Sequence, residues 1–395
     1  MSALPPGIEP ERVLQEVRWR RGQFLELLEA LCRAESPSHD TDRLRAVREV
    51  LAPNLAALGF VLRRPPGRRS GGSLYARPGL RRRGAGLQLL LGHYDTVWPA
   101  GTLETMPFAI EGERVRGPGV FDMKGGLAQM VVALATLKGL NLEPALTPVI
   151  FVNADEEVGS RESGHYVRRL ARIAARAFVL EPSLGLDGKL KTERKGVSRY
   201  TVTVKGRAAH AGLDAASGAS AILELSHVIQ SLFSLNDPEQ GTTVNVGTID
   251  GGLRPNVVAP ESRAVVDVRT RSMADAERLD AAIRALRPET PGTELVVEGF
   301  IGRPPLESTP RNRQLFDLAR SAGAALGLEV SGGVAGGGSD GSTSSRYTAT
   351  LDGLGAVGDG AHAAHEYLDI EPTLGRAALL ALLLLAPGPG ARGRD

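Results

Sequence analysis

Several short segments of this chain concentrate side chains that can hold cations or move protons. In Gly92-His93-Tyr94-Asp95 a histidine and an aspartate stand two apart. In an extended backbone they point to the same side, so the carboxylate can accept a hydrogen bond from the imidazole and fix the nitrogen that faces a metal. Gly117-Pro118-Gly119-Val120-Phe121-Asp122 sets one carboxylate among glycines that permit unusual backbone angles, just ahead of a helix whose amides favour negative charge. Asp155-Glu156-Glu157 puts acids in a row, and these repel one another unless something positive sits among them. Leu180-Glu181-Pro182 and Gly360-Ala361-His362-Ala363-Ala364-His365-Glu366 add a further acid and two further histidines. Each segment alone also has a plain reading: a structural histidine, an N-capping Asp122, a solvated acidic turn. His362 and His365 do not form a His-Glu-x-x-His pattern, so only one of them needs to be a ligand.

The elements that must carry these side chains follow from hydrophobic periodicity. Helical spacing runs from Glu11 to Cys32 and again from about Leu44 to Leu58, stopped by Gly59. Leu87 to Leu91 is a short buried strand that ends at Gly92-His93; Met123 to Leu140 is a helix. Pro148 to Asn153 is a strand ending in the acidic run, and Ala177 to Leu180 is one ending at Glu181. Strand, helix and strand in alternation imply an α/β sheet, which places ligands at the carboxyl ends of its strands. From Gly196 the pattern changes: a period-2 strand at Ser198–Val204, a helix near Ala219–Phe233, strands at Thr242–Ile249 and Arg263–Val268, a helix at Ala274–Leu286, and a strand at Glu294–Glu298. This block reads as an α+β module inserted into the larger one. The α/β pattern resumes after Arg303-Pro304-Pro305 with a helix over Arg313–Leu326, a glycine-rich loop and a final helix.

Bulk properties exclude several function classes. A 395-residue chain is more comfortable as two domains than one, and 42% hydrophobic with 23% charged residues is ordinary for a folded protein. The net charge of +2 gives no broad basic field, so nucleic acid is not an expected partner. The basic run from Arg63 to Arg83 carries few aromatics and reads as a solvated loop or hairpin. One cysteine, Cys32, rules out an intramolecular disulfide and any cysteine-based zinc site. The strongest apolar run, Ala377–Ala386, is too short to span a membrane, and no signal peptide precedes Glu9. A cytoplasmic protein with no membrane association is expected, with low complexity confined to the Gly/Pro/Arg tail after Pro387.

Taken in order, the five segments resemble the M20 metallopeptidase family, most closely its glutamate carboxypeptidase branch, over nearly the whole chain. The resemblance implies a zinc-peptidase-like catalytic domain (residues 1–195 and 303–395), with a mixed central sheet flanked by helices. A ferredoxin-like α+β dimerisation domain is inserted at 196–302. It implies two Zn²⁺ per chain, with Co²⁺ or Mn²⁺ as possible substitutes. Asp122 would bridge the two, Glu157 and His362 would complete one site, and His93 and Glu181 the other. Glu156 would be the general base, with Asp95 behind His93. The acids of that set bring three negative charges to two dications, leaving a surplus that a bridging hydroxide neutralises.

The same resemblance implies a homodimer in which His210, in Gly206-Arg207-Ala208-Ala209-His210, stabilises the oxyanion of a neighbouring subunit, with Asn256 contacting substrate. Arg303 and the Gly336–Gly341 loop, Gly338 included, would anchor a free α-carboxylate through a guanidinium fork and backbone amides. The expected activity is hydrolysis of an amide beside that carboxylate in a small peptide or N-acyl amino acid. An acetylornithine, succinyl-diaminopimelate or aminoacylase-type deacylase is the close rival, and a catalytically silent metal-binding protein the distant one; the presence of Glu156 argues against silence. The loop also fits G-x-G-x-x-G through Gly336, Gly338 and Gly341. A dinucleotide site would need an acid about 20 residues on, where this chain runs into Ala361-His362.

Overall fold

The computed structural model describes residues 5, 7–80 and 84–388. Arg81–Arg83 of the basic run and the tail from residue 389 lie outside the described residues. Two compact units form: residues 1–192, 308–335 and 339–395, and residues 193–307 with 336–338.

The first unit is built on a six-stranded mixed sheet in the order Phe60–Arg63, Leu74–Pro78, Thr147–Asn153, Leu87–His93, Ala174–Val179, Ala349–Leu351. The first two strands are antiparallel, with Phe60 opposite Pro78, so part of the basic run is a hairpin. The strands of residues 87–93, 147–153, 174–179 and 349–351 are mutually parallel neighbours. Alternation sends Leu90, Ile150 and Phe178 into one apolar cluster and Leu89, Leu91, Phe151 and Val179 into another. Helices therefore cover both faces, as buried parallel strands require. On the first face lies the Gly125–Gly139 helix, buried from Gly125 through Leu137 and packed against the Ile370–Leu385 helix. Residues Val120–Gly139 have the length and hydropathy of a membrane span, yet the apolar window is 94% buried in this core. On the second face the Gly164–Ala171 helix contributes Val167.

Three details depart from the expected elements. The stretch from Glu11 to Cys32 is not one helix but two, Pro10–Trp19 and Arg21–Arg33, broken at Arg20. The helix after Asp122 begins at Gly125. Asp122 is therefore not its N-cap: it sits at φ −115°, ψ 98° inside an irregular turn. The final helix ends against buried Arg176, whose guanidinium donates to the carbonyls of Leu383 and Ala386 and to Gln88 Oε1, at 2.7–3.0 Å.

The second unit has a four-stranded antiparallel sheet in the order Thr243–Gly251, Glu261–Thr270, Gly196–Lys205, Glu294–Arg303. Helices Ala221–Phe233 and Met273–Arg284 follow the first and third strands in sequence, giving the β-α-β-β-α-β order of a ferredoxin-like module. Both helices cover one face, with Val228, Leu232, Leu279 and Ile283 packed on Tyr200, Val202, Val266 and Val268. Ser220 and Ser272 cap the two helices through Leu223 N–H and Asp275 N–H.

Candidate active site and metal centre

Strand register brings the first unit's chemistry to one rim. His93 pairs with Asn153, so Ala154 through Glu157 emerge beside it. On its other side Leu91 pairs with Val179, which sets Glu181 level with His93. The irregular turn delivers Asp122 to the same rim. His362 follows Gly360 and takes a left-handed φ of 61°, an uncommon backbone state for a residue with a side chain.

Asp122 lies between two histidines. Its Oδ1 is 3.4 Å from His93 Nε2 and its Oδ2 is 3.4 Å from His362 Nε2. His93 Nε2 also stands 3.5 Å from Glu181 Oε1, and His362 Nε2 is 3.2 Å from Glu157. Ligand atoms of His93, Glu156 and Glu181 lie within 4.8 Å of one another, as do those of His93, Asp122 and Glu157. Lys191 Nζ approaches Glu181 Oε2 at 3.7 Å.

Proton affinities report how much positive charge this rim attracts. Burial penalises a charged His93, but the carboxylates of Asp122, Asp95 and Glu181 outweigh it and hold the imidazole pKa well above its usual value. His362, half exposed, is raised to about 10 by Asp122 and Glu157. Burial alone pushes the Asp122 carboxyl up, but His362 and His93 hold it well below the usual range. Burial raises Glu157. Asp122 Oδ1 is buried and accepts no hydrogen bond, an orphan that a cation would satisfy. Imidazole nitrogens with carboxylate oxygens suit Zn²⁺, Co²⁺ or Mn²⁺, so the residues present fit a metal centre.

Carboxylates behind the rim hold its backbone. Asp95 accepts from Glu156 N–H (3.2 Å), Glu157 N–H (3.1 Å) and Ser38 Oγ (2.9 Å). His93 Nδ1 contacts the Asp95 carbonyl at 2.9 Å and its carboxylate at 3.4 Å. Asp95 thus serves the acidic loop as well as the imidazole. Asp340 accepts from Ser160 Oγ at 2.6 Å and is bonded to Asn153 Nδ2. Glu366 accepts from Gly119, Phe121 and Asp122 N–H and from Trp98 Nε1, all at 2.8–3.0 Å. Sequence reasoning missed Ser38, Asp340 and Glu366 as partners of this site. Only Glu366 carried a signal, its place four residues after His362.

The remaining predicted residues lie in the second unit. His210 and Asn256 are exposed neighbours: His210 bridges Val257, and Ala211 N–H donates to the Asn256 carbonyl at 3.0 Å. His210 Nδ1 accepts from Gly212 and Leu213 N–H (3.2 and 3.1 Å), which leaves the proton on Nε2. Arg303 ends the Glu294–Arg303 strand beyond an irregularity after Ile301. The glycine loop is divided: Gly336–Gly338 belong to this unit, where Arg194 Nε donates to the Gly337 carbonyl at 2.7 Å, and Ser339 onward to the first. At the short Asp340–Ser344 helix, Ser339 Oγ already accepts from Gly341 N–H.

Carboxypeptidase G2 of Pseudomonas sp. (strain RS-16) is 29% identical over 383 residues, covering 93% of this chain and 89% of that protein. Acetylornithine deacetylase of Myxococcus xanthus is 31% identical over 225 residues, 54% of this chain and 57% of that one. Among solved structures, aminopeptidase PepT of Bacillus cereus superposes with a TM-score of 0.75 at 21% identity, covering 96% and 99% of the two chains. Residues 89–386, which include His93, Asp122, Glu156, Glu157, Glu181 and His362, match Peptidase family M20/M25/M40, and this chain is a hydrolase belonging to that family.

Proposed function

We propose that the protein hydrolyses the amide bond beside a free α-carboxylate, as a carboxypeptidase acting on small peptides or N-acyl amino acids with a glutamate-like C-terminal residue. The observation that carries this reading is the Asp122 carboxylate, with one oxygen turned to each of two histidines. His93 and Glu181 would hold one Zn²⁺, His362 and Glu157 the other, and Asp122 both. Bound there, the metal pair would supply hydroxide near neutral pH and a Lewis acid for the scissile carbonyl.

The protein's own groups do the rest. Glu156 takes the proton from water and returns it to the leaving nitrogen; its backbone is held by Asp95. Arg303, with Gly338 in the facing loop, binds the substrate carboxylate, and Asn256 contacts substrate. His210, with its proton on Nε2, donates to the oxyanion of a partner subunit. The homodimer this requires forms through the Thr243–Gly251 edge strand. Ile249 and Leu253 are 67% and 71% exposed there, and Ile222 and Leu223 are each 50% exposed on the adjoining helix. A Cβ on Gly252 would stand 3.1 Å from Ile222 Cδ1, so strand end and helix form one apolar patch. A single buried cysteine, Cys32, suits a reducing compartment such as the cytoplasm.

The likeness to an acetylornithine deacetylase supports a second reading, a deacylase. A panel of dipeptides, N-acyl amino acids and their C-terminal amides, run on wild type and Glu156→Ala, separates these readings. Acidic C-terminal residues should be preferred, amides refused, and Glu156→Ala should bind metal but lose activity by about 100-fold or more. Preference for N-acetylornithine would replace the first reading with the second, and unchanged turnover in Glu156→Ala would remove the assigned base.

A further inference from the structure

Glu366 is 1% exposed, and three segments of the site converge on it. Its Oε1 accepts from Phe121 N–H (2.9 Å) and Asp122 N–H (3.0 Å); its Oε2 accepts from Gly119 N–H (2.9 Å) and Trp98 Nε1–H (2.8 Å). A carboxylate offers about four lone-pair directions, and here four donors fill them. Glu366 is therefore committed as an acceptor, with no lone pair left over for a cation.

What those donors belong to gives the role. Gly119, Phe121 and Asp122 belong to the irregular turn, in which Asp122 departs from helical geometry and its N–H bonds to Glu366. Trp98 ends the segment that begins at His93. Glu366 itself is four residues beyond His362, and its own N–H donates to the Ala363 carbonyl at 2.9 Å, closing the turn that follows the histidine. One side chain thus ties together the backbone that presents His93, the turn that presents Asp122 and the loop that presents His362. We propose that Glu366 is a positioning residue that sets where Asp122 stands between the two histidines, and through this the affinity of the His362-side metal site. The inference rests on the two-metal reading above.

The test is metal titration of the metal-free full chain, followed by calorimetry and by Co²⁺ absorption, with Glu366→Gln and Trp98→Phe. Glutamine keeps the shape but turns an amide NH2, itself a donor, toward N–H donors. The expected result is a first Co²⁺ bound much as in wild type and a second bound about 10–100-fold more weakly, with a changed absorption band and a metal-free Tm lowered by the buried donors left unpaired. Trp98→Phe removes one donor and should weaken the second site in the same direction, by less. Both steps and the spectrum unchanged in Glu366→Gln would overturn the proposal. If Glu366→Gln fails to fold, Trp98→Phe decides alone, and an unaltered second step there overturns it. Wild type that binds fewer than two ions would instead remove the two-metal reading itself.

Discussion

Asp122 is the residue on which both histidines depend, and the charge state of His362 records that dependence. Its pKa is raised from 6.5 to about 10 by Asp122 and Glu157. A proton and a metal compete for the same nitrogen and the same carboxylates. In the metal-free protein the folded-state pKa lies above the unfolded one. The protonated pair therefore contributes stability that is fully present below about pH 6.5 and is lost as pH rises through about 10. Half of that side chain is exposed, so solvent screens the effect and it is small. Metal affinity should move the other way, rising across about pH 6 to 9 as binding displaces the proton. Calorimetric titrations in buffers of different ionisation enthalpy measure the proton released; affinity flat over that range would contradict the assignment of His362 as a ligand.

At the scale of elements, legibility in the sequence followed burial. The strand at Leu87–Leu91 was readable because an apolar run stops at a glycine; its ladder continues to His93 because Asn153 still pairs there. Phe60–Arg63 and Leu74–Pro78 were not readable as sheet strands, being short and set among Arg, Pro and Gly. The break at Arg20 was invisible for a different reason. Val13 and Val17 before it and Phe24, Leu27, Leu28 and Leu31 after it keep one buried stripe in phase, so periodicity does not register the kink. The ligand-type residues stood out only when the five segments were taken together through the family resemblance, since each alone also fits a structural histidine, an N-cap or a solvated acidic turn. Asp340 and Ser38 did not, since a buried hydrogen-bonded partner has no spacing rule.

Close approach between elements adds a constraint that residue type alone does not disclose. A Cβ on Gly126 would stand 2.1 Å from the Leu180 carbonyl oxygen, immediately before Glu181. Gly126→Ala should therefore push the helix off the strand that carries Glu181, costing about 1–3 kcal/mol and weakening metal binding. Gly22→Ala, in a helix where nothing lies within 4 Å of the new carbon, should be neutral or stabilising by up to about 1 kcal/mol. Thermal melts of the two variants side by side check the contrast; equal Tm values would sink it.

For the whole molecule, the open edge of the second unit matters most. The Thr243–Gly251 strand has a sheet neighbour on one side only, and an unpaired strand edge invites pairing with another chain. Ile249→Asp should convert a dimer to a monomer by light scattering and lower activity if His210 acts across the interface, while leaving metal content intact. A wild-type monomer at assay concentration would remove both the dimer and the role given to His210.

The two units also differ in how they are threaded. Residues 193–307 are contiguous, but the sheet of the first unit receives its Ala349–Leu351 strand, and its central helix the Ile370–Leu385 cover, from beyond that insertion. During synthesis the second unit can therefore complete itself while the Gly125–Gly139 helix, apolar on every side, still lacks its lid. That stretch is then the segment most exposed to premature association, or to capture by a chaperone, until residue 385 has left the ribosome. Release of a nascent chain shortened before Ile370 would leave one side of the catalytic rim's supporting helix uncovered, and aggregation rather than partial activity is the outcome that threading dictates.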